Sequence, residues 1–389
     1  MKRVINLLLC FIMVLSCACG CSVLEGEVVS ITEHVSAEVQ NDKAEVTAEV
    51  NSYDALRDAV YGIVEAHENS GTIRIIDYSF ENFSSTLEDA VNRACVEIAN
   101  EEPLGLYCVY YIGNTITQLV SFTEVEIAVT YKRDRAQTST LTSVSTTRYL
   151  YSELTDMLKN YKDYGAFYTS LDTLNTDDIT EFITQTYYDN PLDICMMNLD
   201  SLTFYPETGR ERILEVVFDS QYSASQRKSM SSALNNSVNK LVESADGESD
   251  AELLLSLCEL LTETCAYDAV SAEGASYLSD DLVATAYGAL VSGRAVSDGY
   301  ALAFKALCDK LGLECTVVSG SLNGIAHKWN IVTIDDDSYH IDAAMCDENG
   351  ISTAFLKNDD DFSQTHSWDT EKYGPCSGSL SYERVAGIA

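Results

Sequence analysis

Beyond residue 52 the chain alternates between segments whose apolar residues recur at helical spacing and shorter, strand-like apolar runs. Leu56, Val60, Ile63 and Val64 lie three or four positions apart, which predicts an amphipathic helix. Residues 72–78 are rich in β-branched side chains and predict a strand. Because this mixture continues along the chain, the sequence predicts an α+β fold.

The same order of elements occurs twice in the first two thirds of the chain. In each passage a helix that ends before a proline, Pro103 or Pro191, is followed by two strands. The pattern predicts an internal duplication, with one α+β repeat at 53–147 and another at 148–246. The predicted elements are helices over 87–99, 150–161 and 177–187, and strands over 106–112, 122–131, 165–171, 194–199 and 212–218.

A third region, 247–389, begins with a helix over 251–264 that has a wide apolar face. A further helix ends at Gly312, and Asp298 is predicted to be its N-cap. Ser297 then lies at the helix start, near free backbone N–H groups and the positive end of the helix dipole. The apolar residues of this helix are Tyr300, Ala303, Phe304, Leu307 and Leu311.

Three strands are predicted after this helix, over 315–319, 328–334 and 338–343. If a tight turn centres on residues 335 and 336, His327 and Asp342 become diagonal neighbours on one face of the hairpin. A slip of one residue would place them on opposite faces. A small nucleophile at a helix N-terminus, a histidine and a carboxylate together form the arrangement found in thiol enzymes.

Three motifs carry a family resemblance: GRAVSDGYA from Gly293, HKWN from His327 and YHIDAAMCD from Tyr339. In order and spacing they resemble the transglutaminase-like domain, which has a papain-type core and the motifs G-x-x-V-C-x-G-Y-A, H-x-W-N and Y-H-x-D-x-T-W-x-D. The resemblance covers about the last third of the chain. It implies acyl transfer or amide hydrolysis through a Cys-His-Asp triad, with His327 and Asp342 at the histidine and acid positions.

The sequence departs from the family at the nucleophile, because Ser297 stands where the family has cysteine. A hydroxyl is far less acidic than a thiol, so it needs base assistance and a well-formed oxyanion hole. Three interpretations remain open: a pseudoenzyme whose cleft binds peptide or glycan, a serine nucleophile, or a change from an active cysteine in this particular sequence. A fourth, structural role is an extended stalk built from the repeats. Tyr287 and Trp329 are candidate oxyanion or cleft residues.

The third region contains further polar residues near its end, His340 and the acidic run 359–361. His340 shares a face with Asp342 and is interpreted either as a group supporting the triad or as a partly exposed strand residue. The acidic run 359–361 is expected to be a solvated loop, and a last strand is expected around 380–385.

The N-terminus has the pattern of a targeting segment. Lys2 and Arg3 precede an apolar stretch over 4–15 that is short for a membrane span, and V-L-S-C at 14–17 resembles a bacterial lipobox. The prediction is a signal peptide at 1–21 with Cys17 as the lipid-bearing residue. Cys19 and Cys21 are alternatives, as is a plain secretory peptide. Residues 22–52 are polar and acidic and are predicted to tether an extracytoplasmic protein to the membrane.

Net charge, cysteine content and the absence of certain motifs limit which partners, metals and cofactors the sequence predicts. The net charge of −37 argues against nucleic acid and anionic membrane surfaces as partners. The resemblance to the transglutaminase-like domain implies a peptide or protein substrate or ligand at the cell surface. Four of the thirteen cysteines belong to the targeting segment, and the remaining nine are scattered in apolar patterns typical of buried thiols. The sequence lacks zinc-type Cys/His spacing and nucleotide-binding motifs, so it predicts neither a metal nor a cofactor.

Overall fold

The computed structural model describes residues 46–77, 86–272, 274–275 and 281–388. Helices and strands are mixed throughout, which confirms the predicted α+β class. The predicted signal peptide with Cys17 and most of the tether lie outside the described residues. Within the described ranges, no helix combines the length and apolar character needed to cross a membrane.

The first N-terminal unit consists of four strands and three helices. In chain order they are β1 (Val46–Val50), α1 (Tyr53–Glu65), β2 (Ser70–Ile75), α2 (Leu87–Asn100), α3 (Pro103–Cys108), β3 (Val109–Gln118) and β4 (Thr123–Tyr131). The sheet order is β1-β2-β4-β3, with β1 and β2 parallel and the other neighbours antiparallel. Strand β1 extends the ordered region back into the predicted tether.

The second unit has the same strand order and the same strand directions. Its elements are α4 (Arg135–Ser139), β5 (Thr142–Val144), α5 (Thr147–Lys159), β6 (Tyr164–Thr169), α6 (Thr176–Asp189), β7 (Leu199–Tyr205) and β8 (Arg212–Phe218). The sheet order is β5-β6-β8-β7, and β5 runs parallel to β6 while the other pairs are antiparallel. The shared topology is what an internal duplication would produce, although common origin itself stays a prediction.

Three local predictions are wrong. Pro103 begins the short helix α3, where its missing N–H costs nothing, so the strand starts at Val109 and not at 106. Residues 194–197 do not form a strand. Their apolar side chains instead fill the core as an irregular segment, a case that periodicity cannot separate from a buried strand. The segment predicted as a last strand around 380–385 contains a short helix, Tyr382–Val385.

A buried ion pair joins the two units. Arg133, just beyond β4, donates to both carboxylate oxygens of Glu215 on β8, at 3.0 and 2.7 Å, and Tyr205 donates to the same carboxylate at 3.0 Å. Burial raises the pKa of Glu215, but the hydrogen bonds from Arg133 and Tyr205 outweigh it and hold the pKa below its usual value. The hydroxyls of Tyr107 and Tyr164 are hydrogen-bonded to each other beside this pair.

The C-terminal region places helices against a four-stranded antiparallel sheet of order β13-β12-β11-β14. Two long helices, α7 (Ala224–Ser244) and α8 (Asp250–Thr264), lead into it. The remaining elements are β9 (Ala266–Tyr267), β10 (Arg294–Ala295), α9 (Ser297–Leu311), β11 (Cys315–Leu322), β12 (Ile325–Ile334), β13 (Asp337–Ile341), α10 (Ala343–Asn349), α11 (Asp359–Phe362), β14 (His366–Trp368), α12 (Thr370–Tyr373) and α13 (Tyr382–Val385), with short 3₁₀ or π turns at Leu282–Ala284, Gly288–Ser292 and Ile351–Thr353.

One hydrophobic core runs across the boundary predicted at residue 247. Leu234 and Val238 of α7, Leu257 of α8 and Phe304 of α9 are fully buried in the same cluster, which also includes the interior of the second N-terminal unit. Burial of each such side chain contributes about 2 kcal/mol. The helix that carries Ser297 is therefore held on one side by the N-terminal region and on the other by the C-terminal sheet.

Candidate active site

Ser297 is the first residue of α9. The N-cap is Val296, whose side chain makes no capping hydrogen bond, so the prediction of Asp298 as N-cap is wrong. Ser297 is only 5 % exposed. Its hydroxyl donates a long hydrogen bond, 3.5 Å, to Asp298 Oδ2. As predicted, the hydroxyl lies where the helix dipole favours negative charge.

Gly299 lets the first turn of α9 approach its neighbours closely. A Cβ atom at this position would lie 2.6 Å from the carbonyl oxygen of Val283 and 2.9 Å from that of Thr285. Both are backbone atoms, so a side chain would push α9 away from the 282–285 segment. The glycine that follows the nucleophile position by two residues therefore fixes where Ser297 lies.

The β12–β13 hairpin has the register on which the predicted site depended. Ile334 faces Asp337 across a two-residue turn. Asp335 and Asp336 form that turn with φ of 49° and 69°, the conformation that fits the twist of a tight hairpin. With this register, His327 Nε2 lies 2.7 Å from Asp342 Oδ2.

Asp342 is the fully buried carboxylate of the group. It is the N-cap of α10, where its Oδ1 accepts from the backbone N–H of Met345 at 3.0 Å. Burial raises the pKa of Asp342, but hydrogen bonds from His327 and His366 outweigh it and lower the pKa to about 2. Asp342 is therefore ionised at neutral pH and acts only as an acceptor.

His366 is a site residue that the sequence analysis did not identify. It begins β14, which pairs with β11, and it is buried. Its Nε2 lies 3.2 Å from the same Asp342 oxygen that His327 contacts, and its Nδ1 lies 2.9 Å from Thr365 Oγ1. The histidine two residues before Trp368 repeats the H-x-W pattern of His327 and Trp329, which is the only sequence signal that could have drawn attention to it.

Lys328 closes one side of the site. Its ammonium group lies 2.5 Å from Asp298 Oδ1, and both side chains are mostly buried. The ion pair ties β12 to the first turn of α9, so the strand that carries His327 and the helix that carries Ser297 are held together beside the site. The sequence analysis did not identify this pair.

Trp329 does not behave as an oxyanion donor in the structure. The indole N–H of Trp329 is fully buried and donates to His340 Nδ1 at 3.0 Å, so it is not available to a substrate. Tyr287 lines a cavity of about 430 Å³ together with Tyr222, Met230 and Leu282. An oxyanion or cleft role for Tyr287 stays a prediction, while Trp329 supports the sheet behind His327.

His340 and the acidic run 359–361 also differ from expectation. His340 is fully buried, and its Nε2 lies 2.9 Å from Asp359 Oδ1. Asp359 begins α11 and accepts the backbone N–H of Cys376 at 3.0 Å, so the run is a short helix that fastens the C-terminal segment to β13. Burial lowers the pKa of His340.

Among the described residues, two groups of side chains are close enough to hold a metal ion: His327 with Asp342 and His366, and His340 with Asp359 and Cys376. In both groups the carboxylate already accepts hydrogen bonds through both of its oxygens. In the first group Thr365 also contacts the second nitrogen of His366. The carboxylates of both groups therefore have partners without a metal.

No protein-family model and no curated protein matches this sequence. Solved structures that match include a TGase, with 13% identity over 70% of this chain and a TM-score of 0.26. A candidate cysteine protease of Cytophaga hutchinsonii matches at 11% identity over 46% of this chain and 70% of its own length, with a TM-score of 0.24. A candidate protease of Parabacteroides distasonis matches at 7% identity over 74% of this chain and 44% of its own length, with a TM-score of 0.22.

These neighbours are similar to this chain in arrangement only. The chain spans 50% of the length of the TGase. Identities and TM-scores of this size carry no argument about activity. The transglutaminase-like interpretation of the C-terminal region rests instead on the residue motifs and on the site itself, in which a helix presenting Ser297 packs on an antiparallel sheet presenting His327, with Asp342 directly after its edge strand.

Proposed function

We propose that this chain is a transglutaminase-like protein whose Cys-His-Asp triad has become Ser297-His327-Asp342, and that it binds peptide or protein as a weakened or inactive acyl-transfer fold. The observation that carries the proposal is the 2.7 Å contact of His327 Nε2 with a buried, ionised Asp342. This contact fixes which nitrogen of His327 faces the acid, and it leaves Nδ1 for a nucleophile at the start of α9.

The chemistry of the site explains why serine weakens it. In a thiol enzyme the histidine takes the thiol proton before substrate binds, and the helix dipole stabilises the resulting thiolate. A serine hydroxyl keeps its proton until attack. In an acyl-transfer cycle, Ser297 Oγ would bond to the carbonyl carbon while His327 Nδ1 takes the hydroxyl proton, and that proton would then pass to the departing amine. An amine or water would release the acyl group and restore the hydroxyl.

The hydrogen bond of Ser297 also favours reduced activity. The hydroxyl donates to Asp298 Oδ2, and Asp298 is in turn paired with Lys328. Base-assisted attack requires instead that the hydroxyl donate to the histidine. An active serine hydrolase or cross-linking acyltransferase is the second candidate, favoured by the intact His327–Asp342 pair. It requires Ser297 to change rotamer when substrate binds.

The rest of the chain suggests where the protein acts. The N-terminal targeting pattern supports lipid anchoring through Cys17 on the outer side of a bacterial membrane, with an acidic tether before β1. The matching strand orders of the two N-terminal sheets support their origin by duplication. A net charge of −37 favours a peptide or protein ligand over a polyanion.

The test compares the purified protein with its Ser297→Cys variant. Each is assayed for amine incorporation into casein, for peptide hydrolysis and for iodoacetamide labelling at neutral pH. We expect the parent to be inactive and the variant to gain a fast-labelling thiol, because His327 and Asp342 are already in place. The nine cysteines that the structure describes are buried, and burial raises the pKa of Cys95 to about 11 and that of Cys376 to about 12. With protein that begins at Ser22, and so lacks the four N-terminal cysteines, we therefore expect a low background of labelling.

The matched control is the double variant Ser297→Cys with His327→Gln, which keeps the thiol and removes the base. Its labelling rate should fall back toward that of an ordinary thiol. Equal rates in the single and double variants would contradict the proposed triad. Turnover by the parent that disappears in Ser297→Ala would establish the second candidate instead.

A further inference from the structure

Two histidines share one oxygen of Asp342, which is more than a triad requires. The Nε2 atoms of His327 and His366 lie 2.7 and 3.2 Å from Asp342 Oδ2, while Oδ1 is occupied by the backbone N–H of Met345. A buried carboxylate needs donors on both oxygens to remain ionised. His366 supplies one of only three donors that Asp342 has among the described residues.

The partner of each histidine fixes where one of its protons lies. Because Asp342 is ionised, its oxygens can only accept, so each histidine must donate through the Nε2 that faces it. The second nitrogen of His366, Nδ1, lies 2.9 Å from Thr365 Oγ1, so both ring nitrogens of His366 have partners. The ring nitrogen of His327 that Asp342 does not contact is Nδ1.

The ring of His366 is held in place by its neighbours. Phe362 stacks on it at 3.7 Å between ring centroids with an interplanar angle of 11°, and Trp329 meets it edge-on at 5.0 Å. Phe362 also stacks at 4.5 Å on His340. The two buried histidines thus lie on the same phenyl ring, but hydrogen bonds join only His366 to Asp342, whereas His340 bonds to Trp329 and Asp359.

We propose that His366 is a positioning residue that holds the Asp342 carboxylate in the rotation at which Oδ2 receives His327 Nε2, so that His327 Nδ1 is directed to the nucleophile position at the start of α9. The inference rests on the proposed function, because it gives His366 a role in the proposed Ser297-His327-Asp342 site. Without His366, Oδ2 keeps a single donor, and the rotation of the carboxylate about its bond to Cβ is less restrained.

The first readout is the rate of iodoacetamide labelling against pH in the Ser297→Cys background. His366→Phe removes the donor while keeping a planar ring between Phe362 and Trp329, and His366→Gln returns an N–H near the former Nε2. We expect His366→Phe to slow labelling at neutral pH about tenfold and His366→Gln to restore most of it. His340→Phe is the matched control, because it alters the same aromatic stack without touching Asp342. It should lower the melting temperature and leave the pH profile unchanged.

Equal effects of His366→Phe and His340→Phe on the labelling profile would overturn the proposal, since a purely structural role predicts that outcome. One-to-one binding of Zn²⁺ by the Ser297 protein, lost in His366→Phe, would also overturn it by making His366 a metal ligand.

The second readout does not depend on the proposed function. The chain has only five histidines, so ¹⁵N-histidine labelling of the Ser297 protein allows each ring tautomer to be assigned by NMR. We expect His327 and His366 both to carry the proton on Nε2 at neutral pH, and the His327 signals to shift in His366→Phe but not in His340→Phe. Absence of a proton on Nε2 of His366 would overturn the inference, because that nitrogen could then not donate to Asp342. Failure of Ser297→Cys to label, together with the expected tautomers, would count against the proposed function alone.

Discussion

Two buried carboxylates, in different regions of the molecule, are stabilised by different kinds of partner. Glu215 lies at the junction of the two N-terminal units and is held by the guanidinium of Arg133, which stays charged at any ordinary pH. Asp342 lies in the C-terminal site and is held by two imidazoles, side chains that have a second ring nitrogen besides the one facing the carboxylate. Both carboxyl groups have lowered pKa values.

The comparison shows that burial and a lowered pKa do not by themselves mark a functional acid. The Arg133–Glu215 pair can only hold the two sheets together, because neither partner offers a proton to a substrate. Under the proposed function the Asp342 group takes part in chemistry, because the second ring nitrogen of His327 would face the nucleophile position. The chemical nature of the partner, guanidinium or imidazole, distinguishes the two carboxylates.

The largest expected effect comes from breaking the structural pair. Glu215→Ala leaves Arg133 partly buried without its counter-charge, and we expect the free energy of unfolding to fall by about 4 kcal/mol in urea titrations. In the Ser297→Cys background the same change should leave the labelling rate of the folded protein unaltered. A loss of thiol reactivity without a loss of stability would contradict the division between the two regions.

Lowering the pH is expected to have a smaller effect on the free energy of unfolding. The pKa of Asp342 is about 2 in the folded protein, below the ordinary aspartate value of about 3.9, so its ionisation stabilises the fold above pH 4. That contribution, about 2 kcal/mol, is lost as the pH falls from about 4 through about 2. Asp342→Asn should therefore show a shallower decline of unfolding free energy in this window. Equal slopes for parent and variant would show that Asp342 is not ionised and held as the structure indicates.

The smallest expected effect concerns the ion pair beside Ser297. Lys328→Met removes the partner of Asp298, and because both groups are only partly buried the free energy of unfolding should fall by about 1 kcal/mol. Lys305→Met is the control, since Lys305 pairs with Asp309 farther along the same helix. Both variants should be similarly destabilised, but only Lys328→Met should change the labelling rate of Cys at position 297. Identical labelling in the two would remove Lys328 from the site.

The C-terminal region was the most predictable from sequence because its signals are local. The spacing of apolar residues before Gly312 defines α9, and two consecutive acidic residues define the hairpin turn that sets the register of β12 and β13. Once that register is fixed, the approach of His327 to Asp342 follows from the geometry of neighbouring strands. Asp298 was predicted to be the N-cap because aspartate is a common capping residue. The N-cap is instead Val296, two residues earlier, so Asp298 lies inside the first turn of the helix.

The missed features depend on contacts between distant parts of the chain. His366 reaches Asp342 only because β14 pairs with the far side of β11, and a short three-residue strand gives no periodic signal. Residues 194–197 were predicted as strand but are irregular, because tertiary packing buries their side chains without strand pairing. The Arg133–Glu215 pair joins residues of two separate sheets, and nothing in either sequence neighbourhood indicates the other partner.

The sequence alone determined the α+β class, the order of most elements, and the chemical groups placed at the nucleophile, base and acid positions. These depend on local periodicity, turn chemistry and a few short motifs. The tertiary structure decided three hydrogen bonds: Ser297 donates to Asp298, Trp329 donates to His340, and a second histidine, His366, donates to Asp342. Each of these depends on which buried polar groups find partners, and that outcome is fixed only when separate strands and helices pack together.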